Sequence, residues 1–417
     1  MRKLACLVTV LLLQSLPVPA QHYAVNAMDP EFHSSLRFEL PEGAEEVSFP
    51  FRNANNHLLL AVTVNGAGPF QVILDTGMPT EDLLLYDSDR VKALKLSFLD
   101  DTQVKVSGAG GKGKGRSARM AQGLTLGVGD LRILDARAIV PSIAPGFGAY
   151  HDGVIGAALF RNFVVSIDND RGVLTLRRPE SYQPPEGSRV VPLAFEHGFP
   201  FVDAKVRIGE GEPVAVNLAV DLGASHAVSI NESKEKGIRA PARSIATTIG
   251  RGVSGDITGK VGRIGSLEIG GVAFSNVVAT FPDAEFHSPH GMDSRDGNLG
   301  DGLLSRCLVT FDYAGKRMVL QPAQRFSDPF EWDMSGMQAE PTGKGTVQVR
   351  RVIPGSPAAE AGVKEGDQIT KFDGEAVAEA TYFEIREKLK KDGETVVLEL
   401  RRGKQSVIAS LKLRRLV

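Results

Sequence analysis

Two aspartates in the 417-residue chain are placed alike. Each ends an apolar run and has a glycine two positions on: Phe70-Gln71-Val72-Ile73-Leu74-Asp75-Thr76-Gly77 and Val216-Asn217-Leu218-Ala219-Val220-Asp221-Leu222-Gly223. A carboxylate in such a setting is costly to bury unpaired, so a purely structural role is a poor account of either one. Positioned carboxyl groups can move protons without a metal. The other reactive side chains are less well organised. His287, His290, Asp293 and Asp296 crowd one segment and have ligand chemistry, but so polar a segment reads first as a solvated loop. Ser225 and His226 are adjacent, and neighbours on a strand point to opposite faces. Cys307 follows Arg306 as Asn162 follows Arg161, which suits a packing residue.

These aspartates belong to a repeat. Val47-Ser48-Phe49-Pro50 answers Val190-Val191-Pro192-Leu193, and both openings lie 19 residues before a glycine, Gly66 or Gly209. Leu124-Thr125-Leu126-Gly127 answers Leu267-Glu268-Ile269-Gly270. Ile155-Gly156 lies 81 residues after Asp75, and Leu299-Gly300 lies 79 after Asp221. Between these landmarks run short β-type segments with Gly-rich turns, so each copy predicts an all-β lobe. The first spans 45–178 and the second 189–322. Residues 179–188, with Pro179, Pro184 and Pro185, form the expected linker.

The start of the chain carries Arg2-Lys3, an apolar run from Leu4 to Leu16, and Pro17-Val18-Pro19-Ala20. This is the pattern of a signal peptide over residues 1–20. It predicts an exported protein, periplasmic or secreted, with no membrane span after its removal. Cys307 is then the sole cysteine, so no intrachain disulfide is expected. A net charge of −2 gives no reason to expect nucleic acid.

Asp75-Thr76-Gly77 after an apolar strand, the hydrophobic-Gly pair about 80 residues later, and the duplication resemble retropepsin-like aspartic proteases. The tandem resembles the bacterial two-lobed family with a C-terminal PDZ domain. The resemblance implies a catalytic dyad of Asp75 and Asp221, sharing one proton because two adjacent carboxylates cannot both ionise. It assigns supporting roles to Thr76, Gly77, Gly223, Gly156 and Gly300. It implies a mobile hairpin over the substrate, for which 106–115, with Gly108, Gly110 and Gly111, and 249–255, with Gly250 and Gly252, are the candidates. No metal or organic cofactor is required. One position departs from the family: Leu222 replaces the hydroxyl residue expected after the second aspartate. The alternative is therefore a non-catalytic protease-like scaffold that binds extended peptides or protein C-termini.

From about residue 330 the repeat stops. Pro354-Gly355-Ser356-Pro357-Ala358-Ala359-Glu360-Ala361-Gly362 through Gly366-Asp367, followed by Asp373-Gly374, resembles PDZ domains of exported bacterial proteases, predicting such a domain over 330–417. The periodicity predicts strands Val347–Val352 and Gln368–Phe372 and a helix over 382–389. Met334-Ser335-Gly336-Met337 is the expected peptide-binding loop, whose backbone N–H groups would hold a C-terminal carboxylate. The expected partners are polypeptide substrates or protein C-termini.

Overall fold

The computed structural model describes residues 36–99, 104–106, 108–110, 116–142, 150–286, 295–342, 345–378 and 381–417. The signal-peptide segment lies outside them. The chain is mainly β: two lobes of one topology followed by a smaller domain. Each lobe opens on an antiparallel pair leading to its aspartate. In the first, Leu58–Val64 turns at Asn65 and Gly66, both at positive φ (51° and 80°), into Ala67–Leu74. Two such residues give the tight hairpin turn matching strand twist. In the second, Phe199–Arg207 pairs with Val214–Asp221. Alternation of apolar and polar residues fixes the register, because a one-residue slip would turn every buried side chain outward.

The lobes meet in a shared sheet. Its order is Arg189–Pro192, Arg317–Pro322, Cys307–Asp312, Val164–Asp168, Val173–Arg177 and Glu46–Pro50. The junction pairs Val164–Asp168 with Cys307–Asp312, placing Ser166 opposite Thr310 with their hydroxyls 2.8 Å apart. A pseudo-twofold axis thus passes between equivalent strands of the repeat. Val165, Ile167, Val309 and Phe311 join the interiors of both lobes into one continuous core.

The C-terminal domain has its own core around Met334, Met337, Val349, Ile369, Leu398 and Leu411. Strands Val347–Val352 and Gln368–Phe372 fall where alternation predicts, and the helix spans Tyr382–Lys388. Its edge strand, Met337–Pro341, docks on the second lobe. Gln338 Nε2 donates to the Thr248 carbonyl at 2.6 Å, and Arg251 bridges Asp256 at 2.5 Å and Glu340 at 2.7 Å. Among the described residues no helix is long and apolar enough to cross a membrane.

Candidate active site

Asp75 follows the strand Ala67–Leu74, and Asp221 closes Val214–Asp221. Behind each runs a short parallel strand: Gly153–Ile155 in one lobe, Gly297–Gly300 in the other. Gly156 and Gly300 end these crossings as expected. A Cβ on Gly156 would lie 2.3 Å from the Asp75 carbonyl oxygen, and one on Gly300 2.2 Å from that of His226. Only glycine lets the backbones approach so closely.

The two carboxyl groups meet between the lobes and hydrogen-bond each other. Asp75 Oδ1 accepts from Gly77 N–H at 2.6 Å and from Gly223 N–H at 3.1 Å. Asn298 Nδ2 donates to Asp221 Oδ2 at 2.7 Å. Burial, followed by the charge of Asp221, pushes the Asp75 carboxyl well above the usual carboxylate range. The two backbone N–H groups on Oδ1 oppose that rise and leave the other oxygen of Asp75 toward Asp221. A Cβ on Gly223 would sit 2.5 Å from Asp75 Cγ. Gly223→Ala is therefore expected to part the pair and to destabilise the fold by about 2 kcal/mol in urea denaturation. An unchanged midpoint would show that the loop has room.

Thr76 locks the loops from one side. Its hydroxyl donates to the Val220 carbonyl at 2.7 Å and accepts from Leu222 N–H at 2.9 Å. Leu222, in the equivalent place, returns no hydrogen bond and is buried in the core instead.

Sequence reading missed four residues here. His57 Nε2 lies 3.1 Å from the Gly223 carbonyl oxygen, and its Nδ1 lies 3.1 Å from the Tyr150 hydroxyl. Burial lowers the His57 pKa to about 4, so near neutral pH the ring is uncharged. Tyr150 then donates to Nδ1, and Nε2–H donates to Gly223. Tyr150 in turn stands edge-on to Phe383 of the C-terminal helix, ring centres 4.5 Å apart. These residues come together only through tertiary contact and left no local signal. Asn298 was legible: it stands two residues before Gly300 where Val154 stands before Gly156.

The flap candidates lie over the cleft. Gly108 N–H donates to Ser254 Oγ at 3.2 Å, and Ser254 N–H to the Ala109 carbonyl at 3.1 Å. Gly110 packs against Gly255, and Gly252 against Ala109. Gly250 lies on the strand Ser244–Gly252, and Gly111 lies outside the described residues. Residues 108–110 and 252–255 thus touch each other.

The expected peptide-binding loop leads into the edge strand Met337–Pro341. Met334, Ser335 and Met337 are buried, and Gly336 has φ +69° as such a loop requires. Its N–H groups are not open, however. Asp333 Oδ1 accepts from Ser335 N–H and Gly336 N–H, each at 2.9 Å, and from the Ser335 hydroxyl at 2.6 Å. Met337 N–H donates to Ser335 Oγ at 3.0 Å. Across the groove the Tyr382 hydroxyl donates to the Ala339 carbonyl of the edge strand. The chain's own carboxylate occupies the loop expected to take a ligand's.

Ser225 and His226 prove to lie in a loop, not on a strand, and Ser225 uses its carbonyl to accept from Asn56 Nδ2 at 2.8 Å. Of the metal candidates, His287, His290 and Asp293 lie outside the described residues. Asp296 is bonded to Lys236 Nζ at 2.6 Å and Asn217 N–H at 2.8 Å. Cys307 is buried, its thiol pushed up to about 12 by burial.

Two β lobes, each bringing one aspartate to a shared carboxyl pair, define the acid-protease class of fold. An aspartyl protease family model matches residues 60–159 and 204–306, and a PDZ domain model matches 348–402. The chain belongs to the retropepsin-like aspartyl protease family and carries a C-terminal PDZ domain. It is similar to an aspartic proteinase from Irpex lacteus, with 19% identity and a TM-score of 0.46, covering 68% of this chain and 99% of that one. It is also 40% identical over 60 residues to serine protease HTRA1 of Xenopus tropicalis. That match takes in 14% of this chain and only 13% of the relative's length.

Proposed function

We propose that the protein is an exported aspartic-type endopeptidase acting on extended polypeptide, with Asp75 and Asp221 as its catalytic dyad. The observation that carries this reading is the buried carboxyl pair, one aspartate from each lobe, with Asp75 pushed toward its protonated form and Asp221 accepting from Asn298. Water held between the carboxyls gives a proton to Asp221 as its oxygen attacks the scissile carbonyl carbon. The Asp75 proton passes to the carbonyl oxygen, so the tetrahedral intermediate is neutral. Its collapse returns one proton to Asp75, while Asp221 protonates the leaving amine. The C–N bond breaks, and the pair again holds one proton. The PDZ domain recruits polypeptide, and an incoming C-terminal carboxylate must displace Asp333. The signal peptide over 1–20 directs the chain to the periplasm or outside the cell.

A scaffold that grips peptide without cutting is the second reading, and it rests on Leu222, which leaves the lock one-sided. Digestion of a mixed peptide library from about pH 3 to 8 separates the two. Endopeptidase action gives internal cuts that a statine-bearing peptide blocks. Intact peptides at every pH, with binding retained, would favour the scaffold.

The pH dependence has a definite sign. Activity needs the proton on Asp75, so it fades as pH rises through that group's raised pKa. Stability from this group follows the same course: it is fully present below the ordinary carboxylate value and is lost as pH rises through the raised one. His57 acts oppositely. Its folded value of about 4 lies below the ordinary 6.5, so its contribution is lost as pH falls between them. Thermal melts of wild type and His57→Gln across this range are expected to converge toward pH 4; parallel curves would refute the assignment.

A further inference from the structure

The repeat permits the two walls of the cleft to be compared strand by strand. In the first lobe a row of cross-strand neighbours runs outward from the aspartate strand: Ile73, Val154, Leu84, Ile139 and Met120. The same pairings in the second lobe give Ala219, Asn298, Ser229, Thr280 and Val261. Ile73 and Ala219 stand two residues before their aspartates, hence on the same face of the strand. All ten line the cleft, a cavity of about 2400 Å³.

The rows differ in chemistry at equivalent positions. The first is apolar throughout. In the second, Val154, Leu84 and Ile139 give way to Asn298, Ser229 and Thr280, and Ile73 shrinks to Ala219. Met78, three residues past its aspartate, likewise corresponds to the smaller Ala224 in the other copy. Asn298 has a buried Oδ1 without a hydrogen-bond partner. Arg295, half-buried, lines the same wall within electrostatic reach of Asp221. One wall therefore offers an apolar socket, and the other a roomier surface carrying hydroxyl, amide and guanidinium groups.

We infer that the cleft distinguishes the two sides of the peptide bond it holds. The wall beside Asp75 takes a large apolar side chain. The wall beside Asp221 takes a side chain that both donates and accepts, an amide: its N–H serves the open Asn298 Oδ1, and its oxygen the Ser229 hydroxyl and Arg295 guanidinium on the same wall. This deepens the peptidase reading and rests on it for the position of the bond. The physical reason is asymmetric selection: a polar wall left facing an apolar side chain loses its water without replacement.

The test uses peptides whose two central residues are Leu-Leu, Leu-Gln, Gln-Leu, Leu-Glu or Glu-Leu, each also made with a non-cleavable reduced amide between them. One mixed order is expected to exceed Leu-Leu about tenfold, in cleavage rate and in calorimetric affinity of the reduced-amide form. The Gln and Glu arms distinguish amide from carboxylate. The double variant Ser229→Leu/Thr280→Ile, which copies Leu84 and Ile139 into the second lobe, is expected to reverse the preference toward Leu-Leu. If it melts below the assay temperature, the reciprocal Leu84→Ser/Ile139→Thr variant replaces it, with a loss of selection on the first-lobe side expected. Equal affinities across the set in wild type, or no binding at all, overturn the inference. So does a ranking unmoved in a folded variant. Selective binding without cleavage leaves it standing and removes the peptidase reading; cleavage without selection does the reverse.

Discussion

Asp75→Asn and Asp221→Asn are each expected to lower kcat/KM by at least about 1000-fold, which is about 4 kcal/mol of lost transition-state stabilisation. The two variants fail for different reasons. Asparagine at 75 still offers N–H to Asp221, but it has no proton to pass to the carbonyl oxygen. Asparagine at 221 keeps an acceptor oxygen but cannot take the proton of water. Their stabilities are expected to part as well. Asp75 carries the burial cost that raises its pKa, and a neutral amide does not, so Asp75→Asn is expected to melt no lower than wild type at neutral pH. Asp221 accepts from Asn298; an amide of the wrong rotamer would set two N–H donors face to face. Melting curves beside steady-state kinetics check both points. Cleavage surviving in both variants would sink the dyad.

Thr76→Val is expected to cost about 3 kcal/mol of stability, against about 1 kcal/mol for Leu222→Val at the equivalent position. The first removes a buried hydroxyl that both donates and accepts. It leaves the Val220 carbonyl and Leu222 N–H unsatisfied at the boundary between lobes. The second only trims a methylene from a packed side chain. In a lock made by both loops the two costs would resemble each other. Urea denaturation of the two variants measures the difference directly; equal midpoints would mean that Thr76 does not hold the loops. Hydrolysis is expected to fall with Thr76→Val by about 100-fold, because the carboxyl groups lose their mutual alignment.

The fold was legible because duplication repeats its own evidence. Landmarks at matched spacings fixed which segments are equivalent, and apolar alternation located strands such as Val347–Val352. The aspartates were legible because each ends an apolar run. What stayed hidden depends on who sits opposite whom. His57 reaches Gly223 across the lobe boundary, 166 residues away, and nothing near either residue announces the contact. Tyr150 and Phe383 meet across two domains for the same reason. The loop at Met334–Met337 was found from its pattern of large residues around glycine. That pattern records backbone shape and not occupancy, so the filling of the loop by Asp333, one position upstream, escaped notice.

The single hydroxyl between the aspartate loops also bears on descent. A lobe like the first, paired with an identical copy, would present Thr76 from both sides and hold its loops symmetrically. A lobe like the second, paired with its own copy, would present two Leu222 side chains and no hydroxyl at all. The half bearing Asp221 therefore depends on a covalently joined neighbour for its loop geometry, whereas the half bearing Asp75 retains what a self-sufficient ancestor would need. Cutting the chain between the lobes would therefore leave the two halves unequal, with only the first carrying the hydroxyl that holds both loops.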